Sequence, residues 1–310
     1  MACEIREITS GLFQIRFQGK SDPSSPMDGP SASQPYVAWF LAGPSAAIIE
    51  PGPTVMARLL PQAIRDLGYD PQAVEMVVAT HIHVDHAGGL GYLARELPRA
   101  RFAVHHRGAR HVAEPARLVA GTAAFFGPDW EADYGPIEPV PGDRLLALDD
   151  GQALELGGRR HRVIYTPGHA FHHVSFYDEE EGLIYCGEAL GFPLPMHGTA
   201  PAAVTPTWDQ EAALASLDRL GRLASQAICY SHIGETGIDP RLAIEGAEKA
   251  TRDMADIVRQ ALAQGAGREE IGRRLRLYAF SSADYPWSFD AMIAGFEGYF
   301  RRLQEEAERA

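Results

Sequence analysis

One short stretch restricts this chain more than any other. Residues 80–89 read THIHVDHAGG and place His81, His83, Asp85 and His86 side by side, directly after the apolar run of residues 74–79. Three imidazoles and a carboxylate crowded at the end of a buried strand repel one another or lose hydration without return, unless a cation holds them. Neutral imidazole nitrogens and carboxylate oxygens suit borderline divalent metals, zinc first and iron or manganese after it. Among the 12 histidines of the chain, His-x-His-x-Asp-His arises by chance with a probability on the order of 10⁻³. The fold must therefore bring further donors to this stretch.

A single loop supplies too few groups for a closed site, and three more candidates stand at predicted strand ends. His169 lies in residues 166–170, TPGHA, just after a strand over residues 161–165. The Pro-Gly pair there forces a turn that aims the histidine away from the strand. Glu188 follows a strand over residues 183–186 through Gly187, and His232 follows one over residues 227–230 in the same way. Strand ends beside loops are where a rigid scaffold builds a site.

The remaining text organises itself around these strand ends. Residues 5–8 and 12–17 read as short strands, and residues 19–35, rich in Pro, Ser, Gly and Asp, as a long loop of the kind that is often functional. Residues 36–42 and 46–50 form a hairpin across residues 43–45, and Thr54 caps a helix running to Leu67, with Gly68 as its stop. Beyond the motif come a helix over residues 90–97, a strand over 102–105, and helix over 107–126 with a break near Pro115. Residues 127–141 carry prolines with Trp130 and Tyr134 and read as a shaped loop. Short strands follow at 144–148, 153–156, 161–165, 173–177 and 183–186, then a helix over 209–223 and the last strand. Helices over 241–264, 268–277 and 289–306 close the chain. Two batches of strands, each followed by helices, predict two facing sheets with helices outside. Residues 1–239 are expected to form the catalytic domain, and residues 240–310 a helical extension packed on it.

At 310 residues there is ample chain for a large core, and 45% hydrophobic with 22% charged residues is ordinary for a globular enzyme. A formal net charge of −13 argues against nucleic-acid partners. The cluster Arg159, Arg160 and Arg162 reads as a solvated strand edge. Acids stand where a signal peptide carries its apolar core, and no apolar stretch is long enough to cross a bilayer, so no membrane partner is expected. Cys3, Cys186 and Cys229 show no paired spacing, and an odd count fits a reducing cytoplasm, the expected location. Cys186 and Cys229 sit in apolar runs and read as inert core thiols.

In combination these motifs resemble the metallo-β-lactamase superfamily, in its glyoxalase II- and lactonase-like branch, over roughly residues 12–234. The resemblance implies an α/β, four-layer αββα sandwich, here with a helical C-terminal extension, in agreement with the two strand batches. It implies two divalent metal ions: His81, His83 and His169 hold the first, and Asp85, His86 and His232 the second. Glu188 stands where the family has its bridging aspartate, and Glu50, in IIEPG, where it has another; Glu50 is read as supporting a ligand. The extra methylene of Glu188 lengthens the arm by about one C–C bond, ~1.5 Å. Either its loop retreats and Glu188 still bridges, or it binds one metal. With this departure a more carboxylate-tolerant metal such as iron or manganese gains ground.

Two such cations about 3.5–4 Å apart share a water and bring its pKa near neutrality. Asp85, by the same resemblance, is both ligand and proton acceptor, the catalytic residue; no G-x-S-x-G elbow is present. Trp130, Tyr134 and Phe192 offer aromatic walls, together with Phe125, Phe126, Tyr285 and Trp287, and His197 a donor to substrate. His105, His106, His111, His172 and His173 are read as structural or solvent-exposed. The tyrosine that lactonases place after the bridging carboxylate has no counterpart in residues 191–207, and the basic residues of glyoxalase II are not evident. Aromatic loops poor in lysine point to a small-molecule partner, a weakly charged acyl substrate. The expected function is a metal-dependent hydrolase of an ester, thioester or lactone. An iron-dependent oxidoreductase and a non-catalytic regulatory protein on the same scaffold are the alternatives, and a homodimer is left open.

Overall fold

The computed structural model of the chain describes residues 3–17, 35–194, 200–282 and 289–309, and every structural statement below concerns those residues. Strands β1 (Cys3–Thr9), β2 (Leu12–Phe17), β3 (Tyr36–Leu41), β4 (Ala47–Ile49), β5 (Met76–Val78), β6 (Arg101–His105) and β7 (Leu145–Leu148) line up in that order in one sheet. Pairing is antiparallel as far as β4 and parallel beyond it. Strands β8 (Ala153–Leu156), β9 (Arg159–Tyr165), β10 (Val174–Asp178), β11 (Leu183–Gly187) and β12 (Ala227–Tyr230) make a second sheet, order β12-β11-β10-β9-β8, antiparallel except for β11 with β12.

Side-chain alternation sets the layers. Along β3, Val37, Trp39 and Leu41 join the apolar layer between the sheets, with Ile49, Val78, Val163, Phe176 and Tyr185. Tyr36, Ala38 and Phe40 face the other way, towards Leu60, Ile64, Leu90 and Leu93 of the helices Leu60–Asp66 and Leu90–Glu96. A strand buried on both faces belongs to an inner layer. The second sheet is covered likewise: Ile164, Ile184 and Ile228 pack on Leu217 and Leu220 of helix Gln210–Gly221 and on Ile244 and Ala247 of helix Pro240–Ala263. The result is the expected αββα sandwich. Helices Arg268–Phe280 and Asp290–Arg309 build a separate core with the second half of helix Pro240–Ala263, around Met254, Val258, Ile271, Leu275 and Phe296. Phe192, Ala203, Val204 and Trp208 are drawn into that core. No described helix is long and apolar enough to cross a membrane.

Three local features differ from expectation. Strand β7, read with the second batch, pairs parallel with β6 through Phe102↔Leu145, so it closes the first sheet. A parallel pair needs a long crossover, and residues 106–144 with their helices supply it. The helix expected over residues 54–67 is two, Thr54–Ala57 and Leu60–Asp66. Pro61 at the start of the second explains the break, since proline suits a helix's first turn and not its middle. Within residues 127–141 a short helix, Trp130–Tyr134, buries both of its aromatic residues. Of the early loop, residues 18–34 lie outside the described residues.

Candidate metal centre

Strand β5 ends at Val78, and the chain leaves it through a largely buried, bent segment before turning into the short helix Val84–Ala87, with His83 as its N-cap. His81 therefore projects from the bend after β5, His83 from extended backbone at the helix N-cap, and Asp85 and His86 from the first helical turn. His169 follows β9, Glu188 follows β11 and His232 follows β12, so three separate strand ends face the motif. The sheets also touch here, through a bridge between Tyr36 and His232 and a bond from Val37 N–H to the Ser231 carbonyl at 2.8 Å.

The donors fall into two groups. One ligand atom each from His81, His83, His169 and Glu188 lie within 4.8 Å of one another, and so do those of Asp85, His86 and His232. Glu188 faces both. Its Oε2 is 2.8 Å from His169 Nε2, 3.4 Å from His81 Nε2 and 3.5 Å from His86 Nε2, while Oε1 is 3.6 Å from His232 Nε2. Asp85 Oδ2 lies 3.5 Å from His86 Nε2 and 3.8 Å from His232 Nε2.

Outward hydrogen bonds decide which ring nitrogen faces in. His86 Nδ1 is bonded to Glu50 Oε2, His169 Nδ1 to the Ala203 carbonyl at 2.8 Å, and His81 Nδ1 to Thr80 Oγ1 at 3.1 Å. Nε2 of each is thereby left for the interior. His83 presents Nδ1 instead, 2.9 Å from His169 Nε2. Among the described residues His81 Nε2, His86 Nε2 and His232 Nε2 are buried without any hydrogen-bond partner. Buried polar atoms left bare are costly, and bare nitrogens converging on carboxylates form a donor set that fits divalent cations.

The charge states agree. Burial pushes His81 and His83 well below the ordinary imidazole range, and neighbouring imidazoles push them further. Burial lowers His232 as well, against the pull of Glu188. Burial also disfavours charge on His86, but Asp85 and Glu50 outweigh it and hold that imidazole well above its ordinary range. The carboxyl of Glu188, which burial alone would raise, is held well below its usual range by His169, His81 and His86. His86 does the same for Glu50, helped by the Thr80 N–H. Anionic Glu188 and neutral His81, His83 and His232 are the protonation states that metal binding requires, whereas His86 would give up its proton on binding.

The family model of the metallo-beta-lactamase superfamily matches residues 30–232. The chain belongs to the metallo-β-lactamase superfamily. It is 28% identical over 170 residues to the metallo-beta-lactamase fold-containing protein ST1585 of Sulfurisphaera tokodaii, covering 52% of this chain and 61% of that protein. It is 23% identical over 114 residues to a hydroxyacylglutathione hydrolase of Legionella pneumophila, covering 37% of this chain and 33% of the relative. With the human acyl-coenzyme A thioesterase MBLAC2 the identity is 29% over 122 residues, 37% of this chain and 41% of the relative. The chain thus spans from a third to three fifths of the length of these curated relatives. Among solved structures, the metallo-beta-lactamase family protein TTHA1429 of Thermus thermophilus superimposes with a TM-score of 0.70 at 26% identity, over 97% of this chain and 95% of that one. The superfamily usually binds metal ions, and the two donor groups are candidate places for them in this member.

Of two histidines that sequence reasoning set aside, His173 supports the site and His172 lies beside it. The Glu188 N–H donates to His173 Nε2 at 3.1 Å, and His173 Nδ1 is bonded to Thr166 Oγ1 at 2.8 Å, which meets Ser175 Oγ at 3.0 Å. Gly187 makes that approach feasible: its φ is +54°, and a Cβ there would stand 2.5 Å from His173 Nε2 and 2.6 Å from Thr80 Oγ1. The ring of His172 lies 5.5 Å from that of His83, and burial lowers its pKa to about 3. The run GHAFHH after β9 was the available signal, since its later histidines follow His169 by three and four positions.

The expected substrate contacts separate. Phe192 packs its ring 5.5 Å from that of His232. The Tyr36 ring lies 5.0 Å from that of His232, and its hydroxyl pairs with that of Tyr134. Trp130, 3% exposed, is packed in the apolar layer outside the first sheet. His197, Tyr285 and Trp287 lie outside the described residues. Cys186 is fully buried, and burial pushes its thiol up, so it offers no thiolate.

Proposed function

We propose that this chain is a hydrolase of small, weakly charged acyl esters, thioesters or lactones, dependent on two divalent metal ions. His81, His83 and His169 would hold one ion and Asp85, His86 and His232 the other. The observation that carries this reading is Glu188, whose two oxygens face the two groups, at 2.8 Å from His169 Nε2 and 3.6 Å from His232 Nε2. Zinc is the ion that a set of neutral imidazoles suits best. Bound there, two divalent cations supply Lewis acidity and a water acidified towards neutral pH.

The rest falls to the chain. Asp85 stands beside both His86 and His232; it would take the proton of the attacking water as the bond to the acyl carbon forms and return it to the leaving oxygen or sulfur as that bond breaks. Tyr134 and Phe192 border the site and exclude water from one side of the acyl group. Relatives named as a hydroxyacylglutathione hydrolase and an acyl-coenzyme A thioesterase favour the thioester within this class. The formal net charge of −13 favours a neutral or weakly charged small molecule over nucleic acid. The free thiols Cys3, Cys186 and Cys229 suit a reducing cytoplasm.

An iron-dependent oxidoreductase is the second reading, favoured by the two carboxylates, Asp85 and Glu188, in the donor set. Metal content by mass spectrometry, paired with a panel of a small ester, a thioester and a lactone, tests both. Zinc with hydrolysis that Asp85→Asn abolishes is the expected result. A zinc-loaded protein inert to all three substrates overturns the hydrolase; iron with consumption of dioxygen establishes the second reading.

A further inference from the structure

Residues 200–209 run between the candidate metal centre and the C-terminal helices, and they are bonded to both. On the metal side, the Ala203 carbonyl accepts from His169 Nδ1 at 2.8 Å, and Thr205 Oγ1 donates to the His169 carbonyl at 2.6 Å. The Asp209 N–H closes the same turn on the Gly168 carbonyl at 3.0 Å. These bonds fix both the backbone and the ring of His169, and so the direction of Nε2.

On the other side, the Ala202 N–H meets Met254 Sδ at 3.3 Å, and Arg302 Nη2 donates to the Trp208 carbonyl at 2.6 Å. The Trp208 ring stands 4.9 Å from Phe296 and 5.1 Å from Tyr299. At the centre of this contact is Gly295. A Cβ there would sit 2.5 Å from the Thr205 carbonyl oxygen and 2.7 Å from Val204 Cγ1. Glycine weakens a helix interior, but here its lack of a side chain lets the helix Asp290–Arg309 close on the segment that holds His169. Gly298, further along the same helix, has nothing closer than 3.7 Å to such a Cβ.

We propose that the C-terminal helix Asp290–Arg309 is a positioning element of the metal centre, acting on His169 through residues 203–205, with Gly295 as the point of closest approach. The inference rests on His169 as a metal ligand and is independent of whether the chain hydrolyses acyl substrates. Groups that orient a metal-bound histidine change affinity by about 10–100-fold when removed.

The test is a zinc titration of metal-free protein against a chromophoric chelator. Wild type is expected to take up two ions. In Gly295→Val one of the two should bind about 10–100-fold more weakly and the other within about twofold of wild type, whereas Gly298→Ala should match wild type at both. Thr205→Val removes the hydroxyl bonded to the His169 carbonyl without touching the helix contact, and should weaken the same ion. If Gly295→Val does not fold, Gly295→Ala, whose Cβ meets the same Thr205 carbonyl oxygen, takes its place with the same expectation. Gly295→Val folded with both affinities unchanged, or Thr205→Val unchanged, overturns the proposal. Wild type that takes up no zinc overturns it together with the metal reading; zinc uptake without hydrolysis overturns only the hydrolase.

Discussion

Glu50 divides its carboxylate between backbone and site: Oε1 accepts the Thr80 N–H at 2.6 Å, and Oε2 is bonded to His86 Nδ1. One buried side chain thus anchors the start of the THIHVDH stretch and fixes the ring of one of its members, with Nε2 turned towards Asp85 and Glu188. Glu50→Gln should break this double role, because an amide has one acceptor oxygen for two facing N–H donors and sets its own N–H against the other. The expected outcome is a loss of about 10–100-fold in affinity for the ion at Asp85, His86 and His232, with the other ion little affected. Zinc titration reads it, and two unchanged affinities would refute the role given to Glu50.

Glu188→Asp restores the residue type usual for the superfamily, yet it should impair this protein. The shorter arm retreats by ~1.5 Å. From the present backbone, held by His173 Nε2 on the Glu188 N–H at 3.1 Å, an aspartate cannot keep both the 2.8 Å approach to His169 and the 3.6 Å approach to His232. Expected is one tightly held ion per chain in place of two, read by mass spectrometry after dialysis. Two ions retained at wild-type affinity would show that the turn at Gly187 moves freely, against the support described for it.

The sequence revealed most of this centre because its information is local. His81, His83, Asp85 and His86 are neighbours in the chain, and His169, Glu188 and His232 each follow a strand whose apolar run is readable by itself. What stayed hidden depends on which strand lies beside which. Leu145–Leu148 reads as a strand whatever its partner, so nothing in its letters shows that it pairs with β6. His173 supports Glu188 only because β10 and β11 are neighbours, and Tyr36 reaches His232 only because the two sheets meet at that bridge. Side-chain period reports burial, and it does not report register between distant segments.

His105 should make the fold sensitive to mild acid. Its Nδ1 accepts the Arg107 N–H at 3.0 Å as a cap on helix His106–Ala113, and its ring lies 4.4 Å from His106 and 4.2 Å from Tyr165. Burial, with the charges of His106 and Arg107 and against the weaker pull of Asp149, lowers its pKa to about 4. The unfolded chain takes up this proton near pH 6.5, about two and a half units before the folded one. The contribution of His105 is therefore complete above about pH 6.5 and falls as pH drops from there towards 4, after which it is flat. Denaturant melts across that window should show the decline. His105→Asn keeps a side-chain acceptor for the cap and removes the proton site, so its slope should be shallower; an identical slope would assign the effect elsewhere.

Tyr134, close enough to feel the charges of Asp85 and Glu188, offers a hydroxyl from the chain itself to the proposed chemistry. Burial and the negative charge of Asp85 hold the hydroxyls of Tyr36 and Tyr134 far above the ordinary phenol range, so both stay protonated. The Tyr36 hydroxyl pairs with that of Tyr134 and orients it, and the Tyr134 O–H is expected to donate to a substrate oxygen as charge develops on it. Loss of one such preorganised donor costs about 10²–10³ in kcat. Tyr134→Phe should show a fall of about that size, with metal content and melting temperature close to wild type. Tyr36→Phe keeps the ring against His232 and removes only the orienting bond, so its loss should be smaller and of the same kind. If Tyr134→Phe instead raised KM and left kcat unchanged, the hydroxyl would be a binding contact shared by ground and transition states.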